Sequence, residues 1–216
     1  MKSIDCLIFD LDGTLIDSSD GVVDAVNYSL RMMGQPEQPP ERIKRFIGFP
    51  LSHMYPEFTG APVDKLSTHF QDRAAKSIVP STVVLEGVDN ALRTLRRQGF
   101  RMAIATTKIR RHVEGIVEKL GWGDLFEMLV GSDDVTNVKP APDAFRLVLR
   151  RLRVPSVKAV VIGDTVNDIQ AARAVPMRVI AVVSPFSDPA EIEAAKPDHL
   201  IKTMSELPAL LDKLNQ

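Results

Sequence analysis

The sequence predicts an α/β fold, a parallel sheet wound with helices on both faces and interrupted near its start by an all-helical insert. Three observations carry that expectation. Short apolar runs alternate with stretches of helical periodicity from residue 83 onward. The first apolar run, Cys6-Leu7-Ile8-Phe9, ends abruptly in carboxylates, as a buried parallel strand opening on a polar crevice does. Between these regions, residues 17–82 carry helical spacing and no strand pattern.

In chain order, Cys6 to Phe9 form the first strand and Gly13 permits a sharp turn after it. In the insert, Val22, Val23, Val26 and Leu30 mark one helix. Ile43, Phe46 and Ile47 mark a second, and a stretch through Leu66 and Phe70 a third. The proline-rich Gln35–Pro40 segment reads as a turn or loop between two of them. Val88, Ala91, Leu92 and Leu95 then repeat at helical spacing, with Gly99 as the stop. Arg101 to Ala105 is a strand, Val113 to Leu120 a helix ended by Gly121, and Glu127 to Val130 a short strand. Phe145, Val148, Leu149 and Leu152 give the next helix, and Ala159 to Ile162 the next strand. Ala171 and Ala172 sit on a small-residue helix, followed by a strand over Arg178 to Val183. His199 to Ile201 forms an edge strand, and Leu207, Leu210, Leu211 and Leu214 place a final amphipathic helix. The expected division is a core of residues 1–16 and 83–216 with a helical segment over 17–82.

Composition narrows the function. The 216 residues suit one α/β domain with a smaller insert. Lys and Arg total 27 against 28 Asp and Glu, so there is no electrostatic case for nucleic-acid binding. The single Cys6 cannot form an intrachain disulfide and reads as a buried, inert thiol. No apolar run is long enough to span a membrane, and the N-terminal one is cut at Asp10, unlike a signal peptide. A cytoplasmic location is the resulting expectation, and the oligomeric state is left open. His53, His69, His112 and His199 are scattered without metal spacing and read as structural.

Four strand ends hold the chemistry. Asp10 and Asp12, two apart on extended backbone, share a face and can address one reacting centre. Uncompensated, they would repel, so a divalent cation or a shared proton is expected. Thr106-Thr107-Lys108 follows the strand over 101–105 and offers hydroxyls and a cation to a phosphate oxygen. Lys139 follows the strand near Met128, and Gly163-Asp164 with Asp168 follows the strand over 159–162. In a parallel sheet these ends converge on one rim.

In this order the chain resembles the haloacid dehalogenase (HAD) superfamily throughout its length. Asp10 and Asp12 match the first motif, Thr106 the second, Lys139 the third, and Asp164 with Asp168 the fourth. It is most similar to the phosphoglycolate phosphatase-like branch, where a stretch like Phe46-Ile47-Gly48-Phe49-Pro50 occurs in the cap. The resemblance implies a doubly wound, Rossmann-like HAD core with an inserted α-helical cap. It implies a Mg2+-dependent phosphatase acting on a small phosphorylated metabolite, a phosphoglycolate-like monoester first. Asp10 would be the nucleophile that becomes an aspartyl-phosphate, and Asp12 the acid and base. Mg2+ would be held by Asp10, Asp164 and the backbone carbonyl of Asp12. Thr106 would bond the transferring group, while Lys139 would offset its charge and pair with Asp168.

An insert placed directly after the catalytic strand suggests a lid. Thr107, Lys108, Arg45 and Gly48 are the residues expected to meet substrate, with Arg45 pairing an anionic group and Gly48 allowing close approach. A phosphosugar mutase or pyrophosphatase of the same fold is the alternative enzyme, and Thr14, where mutases tend to carry valine, argues against the mutase. A receiver-type signalling module also uses carboxylates, Mg2+, threonine and lysine, but it is shorter and lacks a helical lid. The chain departs from the branch's usual pattern at Val138, Thr107, Leu85–Gly87 and Val175–Met177. No catalytic group is lost by these changes.

Overall fold

The computed structural model describes residues 3–216. Strand β1 (Cys6–Phe9) lies in the middle of a six-stranded parallel sheet. A two-residue strand β2 (Ile16–Asp17) follows it, then helices α1 (Ser19–Met32), α2 (Pro40–Lys44), α3 (Leu51–Met54) and α4 (Val63–Ser81). Strand β3 (Val83–Val84) returns the chain to the alternating part. There α5 (Val88–Arg97), β4 (Arg101–Ala105), α6 (Arg110–Lys119), β5 (Met128–Val130) and α7 (Asp143–Leu152) follow in order. Then come β6 (Ala159–Gly163), α8 (Val166–Arg173), β7 (Arg178–Val182), α9 (Pro189–Ala194), β8 (His199–Ile201) and α10 (Leu207–Leu214).

The sheet order is β5-β4-β1-β6-β7-β8, so the chain winds outward from β1 first one way and then the other. That reversal makes a topological switch point beside β1, where the ends of diverging connections leave a crevice. β1 explains why this strand carries no polar residue until its end. It pairs with β4 on one side and β6 on the other, and all four residues are fully buried. Alternate side chains serve two cores. Leu7 and Phe9 join Val88, Leu92, Val113 and Leu207 on one face. Cys6 and Ile8 join Phe145, Ile169 and Ile192 on the other.

The helical segment packs onto the first of these cores. Ala25, Val26, Leu30, Leu66, Phe70, Ala74 and Ile78 are continuous with it. Helices α1 and α4 approach closely at Gly21, where a Cβ would come within 2.8 Å of the Ile78 Cα. Beside that contact, Arg73 grips Asp24 with two bonds of 2.6 and 3.1 Å. Among the described residues no helix is long and apolar enough to cross a membrane.

Local differences from the sequence expectation have physical causes. Ile16 and Asp17 pair antiparallel with Val84 and Val83, a ribbon too short to leave any periodic signal. The helix expected through Phe46 and Ile47 stops at Lys44, and the chain turns until Gly48, which adopts φ +87°. Glu127 lies outside β5, although its N–H still donates to Met102 O at 2.8 Å. Helix α9 gave no apolar pattern because only Ile192 is buried in it, and Asp188 caps it through the Ala190 N–H.

Candidate active site

The site sits on the rim formed by the ends of β1, β4, β5 and β6. Asp10 continues β1 by donating its N–H to Ile162 O at 2.8 Å. The chain then closes a tight loop, with Leu15 and Ile16 both donating to Leu11 O. Gly13 has φ +83°, and a Cβ there would come within 2.1 Å of Asp164 Oδ2. Only glycine lets this loop lie against the β6 end.

Lys139 is buried and uses its ammonium fully. It donates to Asp10 Oδ1 at 2.6 Å, Asp168 Oδ1 at 2.7 Å and Ala105 O at 3.1 Å. Burial alone would lower its pKa, but Asp10 and Asp168 outweigh that and hold it above the ordinary lysine value. Asp168 is held in turn by Thr165, whose hydroxyl donates to Asp168 Oδ2 at 2.6 Å and whose N–H donates to it at 3.1 Å. This is the capping box of α8, so the helix start itself fixes the carboxylate beside the lysine.

Asp164 stands on the other side. Its Oδ1 accepts from Thr14 Oγ1 at 2.8 Å, while its Oδ2 is buried without a hydrogen-bond partner among the described residues. Asp10, Asp164 and Asp168 each offer an oxygen within 4.8 Å of the others. Lys139 bonds to Asp10 and Asp168 but not to Asp164, so negative charge in the cluster is uncompensated. Burial pushes the Asp10 carboxyl up to about 6, and Asp164 is raised well above the usual carboxylate range by burial and by Asp10. An orphaned carboxylate oxygen in an all-oxygen cluster is the donor set a hard divalent cation takes.

Asp12 faces different company. Its Oδ1 accepts from Ser18 Oγ at 2.5 Å and its Oδ2 lies 3.1 Å from Lys108 Nζ. Lys108 also reaches Ser18 Oγ at 3.3 Å. Thr106 is buried at the β4 end, donates its N–H to Val130 O, and accepts from the Lys108 N–H at 3.2 Å. Thr107 Oγ1 donates to Gly48 O at 3.4 Å, and a Cβ on Gly48 would sit 2.9 Å from Thr165 Cγ2. Gly48 therefore touches the core directly.

A cavity of about 250 Å3 opens beside Asp12 between the helical segment and the core. Thr107, Lys108 and Gly48 line it. Arg45 does not: it is exposed at the C-cap of α2. The structure thus brings together Asp10, Asp12, Thr106, Lys139, Asp164 and Asp168 with Thr107, Lys108 and Gly48. It leaves Arg45 apart. Sequence reasoning missed Ser18 and Thr165 as clamps on Asp12 and Asp168, although the capping-box spacing of Thr165 and Asp168 was readable. His112, read as structural, also lines the cavity.

A sequence profile described as "Haloacid dehalogenase-like hydrolase" matches residues 7–182. The chain belongs to that family. The HAD-like chain is 30% identical over 219 residues to phosphoglycolate phosphatase of Pectobacterium atrosepticum, covering 98% of this chain and 94% of that protein. It is 29% identical to pyrophosphatase PpaX of Bacillus cereus, covering 99% of both. A solved haloacid dehalogenase-like hydrolase from Bacteroides fragilis superposes with a TM-score of 0.90 at 27% identity, over 94% of this chain and 99% of that one. HAD membership and relatives named as phosphatases make this chain an enzyme of the phosphatase kind.

Proposed function

We propose that this chain is a Mg2+-dependent phosphatase that hydrolyses a small phosphorylated metabolite through an aspartyl-phosphate on Asp10. The observation that carries it is the buried cluster of Asp10, Asp164 and Asp168 with its orphaned Asp164 oxygen. Asp10 and Asp164, with the Asp12 backbone carbonyl, would hold the cation. When bound, Mg2+ offsets carboxylate and phosphate charge and polarises the phosphoryl group.

The chain's own residues supply the rest. An Asp10 carboxylate oxygen attacks phosphorus in line, and the bond from phosphorus to the alcohol oxygen breaks. Asp12 gives its proton to the departing alkoxide and then takes one from the water that attacks the same phosphorus. Phosphate leaves and the Asp10 carboxylate is regenerated. Lys139, held between Asp10 and Asp168, orients the nucleophile and offsets charge on the transferring group. Thr106 bonds that group from the β4 end. Residues 17–82 act as a cap that excludes water while the intermediate lasts.

The test is hydrolysis of p-nitrophenyl phosphate with and without chelator. Activity lost on chelation and restored by Mg2+, with phosphate trapped on Asp10, supports the reading. Full activity after rigorous chelation, or phosphate carried stoichiometrically without turnover, overturns it. Phosphoglycolate, the substrate in the Pectobacterium relative's name, is the reference natural ester.

A further inference from the structure

The cavity beside Asp12 is where an ester's leaving group must sit, because Asp12 is the group that would protonate it. Its cap wall is apolar, built from Phe46, Ile47, Phe49, Leu51, Met54 and Phe70. Phe46 and Phe49 meet edge to face at 6.4 Å, and Phe49 stacks on His53 at 5.2 Å, so this wall is a fixed aromatic surface. Among the described residues, the titratable side chains on the lining are Asp12, Lys108 and His112. Lys108 is tied to the catalytic end of the cavity by Asp12 at 3.1 Å and Ser18 Oγ at 3.3 Å. His112 is buried, and burial with the nearby Lys108 and Arg111 charges pushes its pKa down to about 4, so it is neutral at pH 7. Arg45, the cation that could have met an anionic leaving group, lies outside. A carboxylate or second phosphate against this cap wall would lose its hydration, with the lining's ammonium held at the Asp12 end rather than on the wall.

Building on the phosphatase function proposed for this same site, we infer that the leaving group is an uncharged, largely apolar alcohol of ring size. Volume agrees with the charge inventory. The cavity of about 250 Å3 exceeds the roughly 150 Å3 that suffices to bind benzene in an apolar protein cavity. Phe46 and Phe70 supply contact area, and the polar face near Asp12 and Thr107 leaves the ester oxygen at the catalytic end.

Three esters separate this from a phosphoglycolate-like preference: benzyl phosphate, methyl phosphate and 2-phosphoglycolate, each of which releases an alkoxide. The expected result is a kcat/KM for benzyl phosphate about 10–100-fold above the other two. Placing a cation in the wall, by Leu51→Arg or by Gln71→Lys should the first fail to fold, should cut the benzyl-to-phosphoglycolate ratio by about 10-fold or more. A wild-type preference for 2-phosphoglycolate over benzyl phosphate overturns the inference, as does a ratio untouched by both variants. Calorimetry with benzylphosphonate and phosphonoacetate in Mg2+ reads the cavity without turnover. Tighter binding of benzylphosphonate with no hydrolysis of any ester upholds the cavity assignment and removes the hydrolase function. Tighter binding of phosphonoacetate overturns the assignment.

Discussion

Lys108 Nζ lies 3.1 Å from Asp12 Oδ2, and the two side chains are only 7% and 8% exposed. Their positions are 96 residues apart, on the ends of β4 and β1, which run side by side in the sheet. Ser18, at the entry to α1, bonds to the same carboxylate at 2.5 Å. The proposed acid and base is therefore held by a core lysine and by the first residues leading into the helical segment. A shift of that segment would alter the grip on Asp12.

Lys108→Met tests whether this lysine serves the chemistry or the leaving group. Because its ammonium is spent on Asp12, kcat should fall by the same factor on benzyl and methyl phosphate. Unfolding should show a loss on the order of 3 kcal/mol, since a buried carboxylate loses its partner. The loss should be much smaller when Lys108→Met is introduced into an Asp12→Asn background. A selective effect on one ester, with additive stability losses, would reassign Lys108 to substrate recognition.

Asp10 and Asp12 should fail differently. Asp10→Asn removes the nucleophile and should leave no phosphoenzyme at any time. Asp12→Asn keeps it but loses proton transfer, which is worth about 10²–10⁴-fold. Formation and hydrolysis of the intermediate should both slow in rapid-quench measurements. An active Asp10→Asn protein would exclude Asp10 as the phosphoryl acceptor.

Asp164 provides a metal test that needs no turnover. With Oδ2 buried and unpaired among the described residues and Oδ1 held by Thr14, the carboxylate is costly in chelated protein. Mg2+ at about 100 times its Kd should stabilise the wild type by about 2.7 kcal/mol, read as a rise in Tm. Asp164→Asn should lose most of that rise while its Tm in chelator stays at or above the wild-type value. An unchanged Mg2+ response in the variant would move the cation away from Asp164.

The residues that the sequence revealed were those whose place follows from strand ends or from the order of the motifs. Asp10, Thr106 and Asp164 lie where apolar runs stop, and a parallel sheet brings such ends together, while Lys139 on the loop between β5 and α7 and Asp168 in the first turn of α8 were legible through the order of the motifs. What escaped needed the third dimension. The Ile16–Asp17 and Val83–Val84 ribbon has two residues a side, below the length at which alternation can be seen. The pairing of Lys108 with Asp12 depends on β4 being the neighbour of β1, which no local pattern states. Arg45, expected to meet an anionic group, is exposed just after α2 ends at Lys44 and is not on the cavity lining. The division at 17 and 82 is an expectation of the sequence pattern, and the helices between β2 and β3 span residues 19–81.

His112 gives the protein a distinct acid response. It is 3% exposed, its Nε2 has no hydrogen-bond partner among the described residues, and its pKa is lowered from 6.5 to about 4 by burial first and then by Lys108 and Arg111. Asp12 and Asp133 oppose the shift but do not cancel it. The unfolded chain binds a proton near pH 6.5, and the folded one resists it down to about 4. The associated stability is therefore present above pH 6.5 and is lost as pH falls toward 4. Between pH 7 and 5 the loss from this one group is about 2 kcal/mol. Urea unfolding in saturating Mg2+ should show it as a difference between wild type and His112→Gln, with the variant's stability falling less over that interval. Parallel profiles for the two proteins would mean that the imidazole takes up its proton in the folded state, and the cavity would then carry a charge.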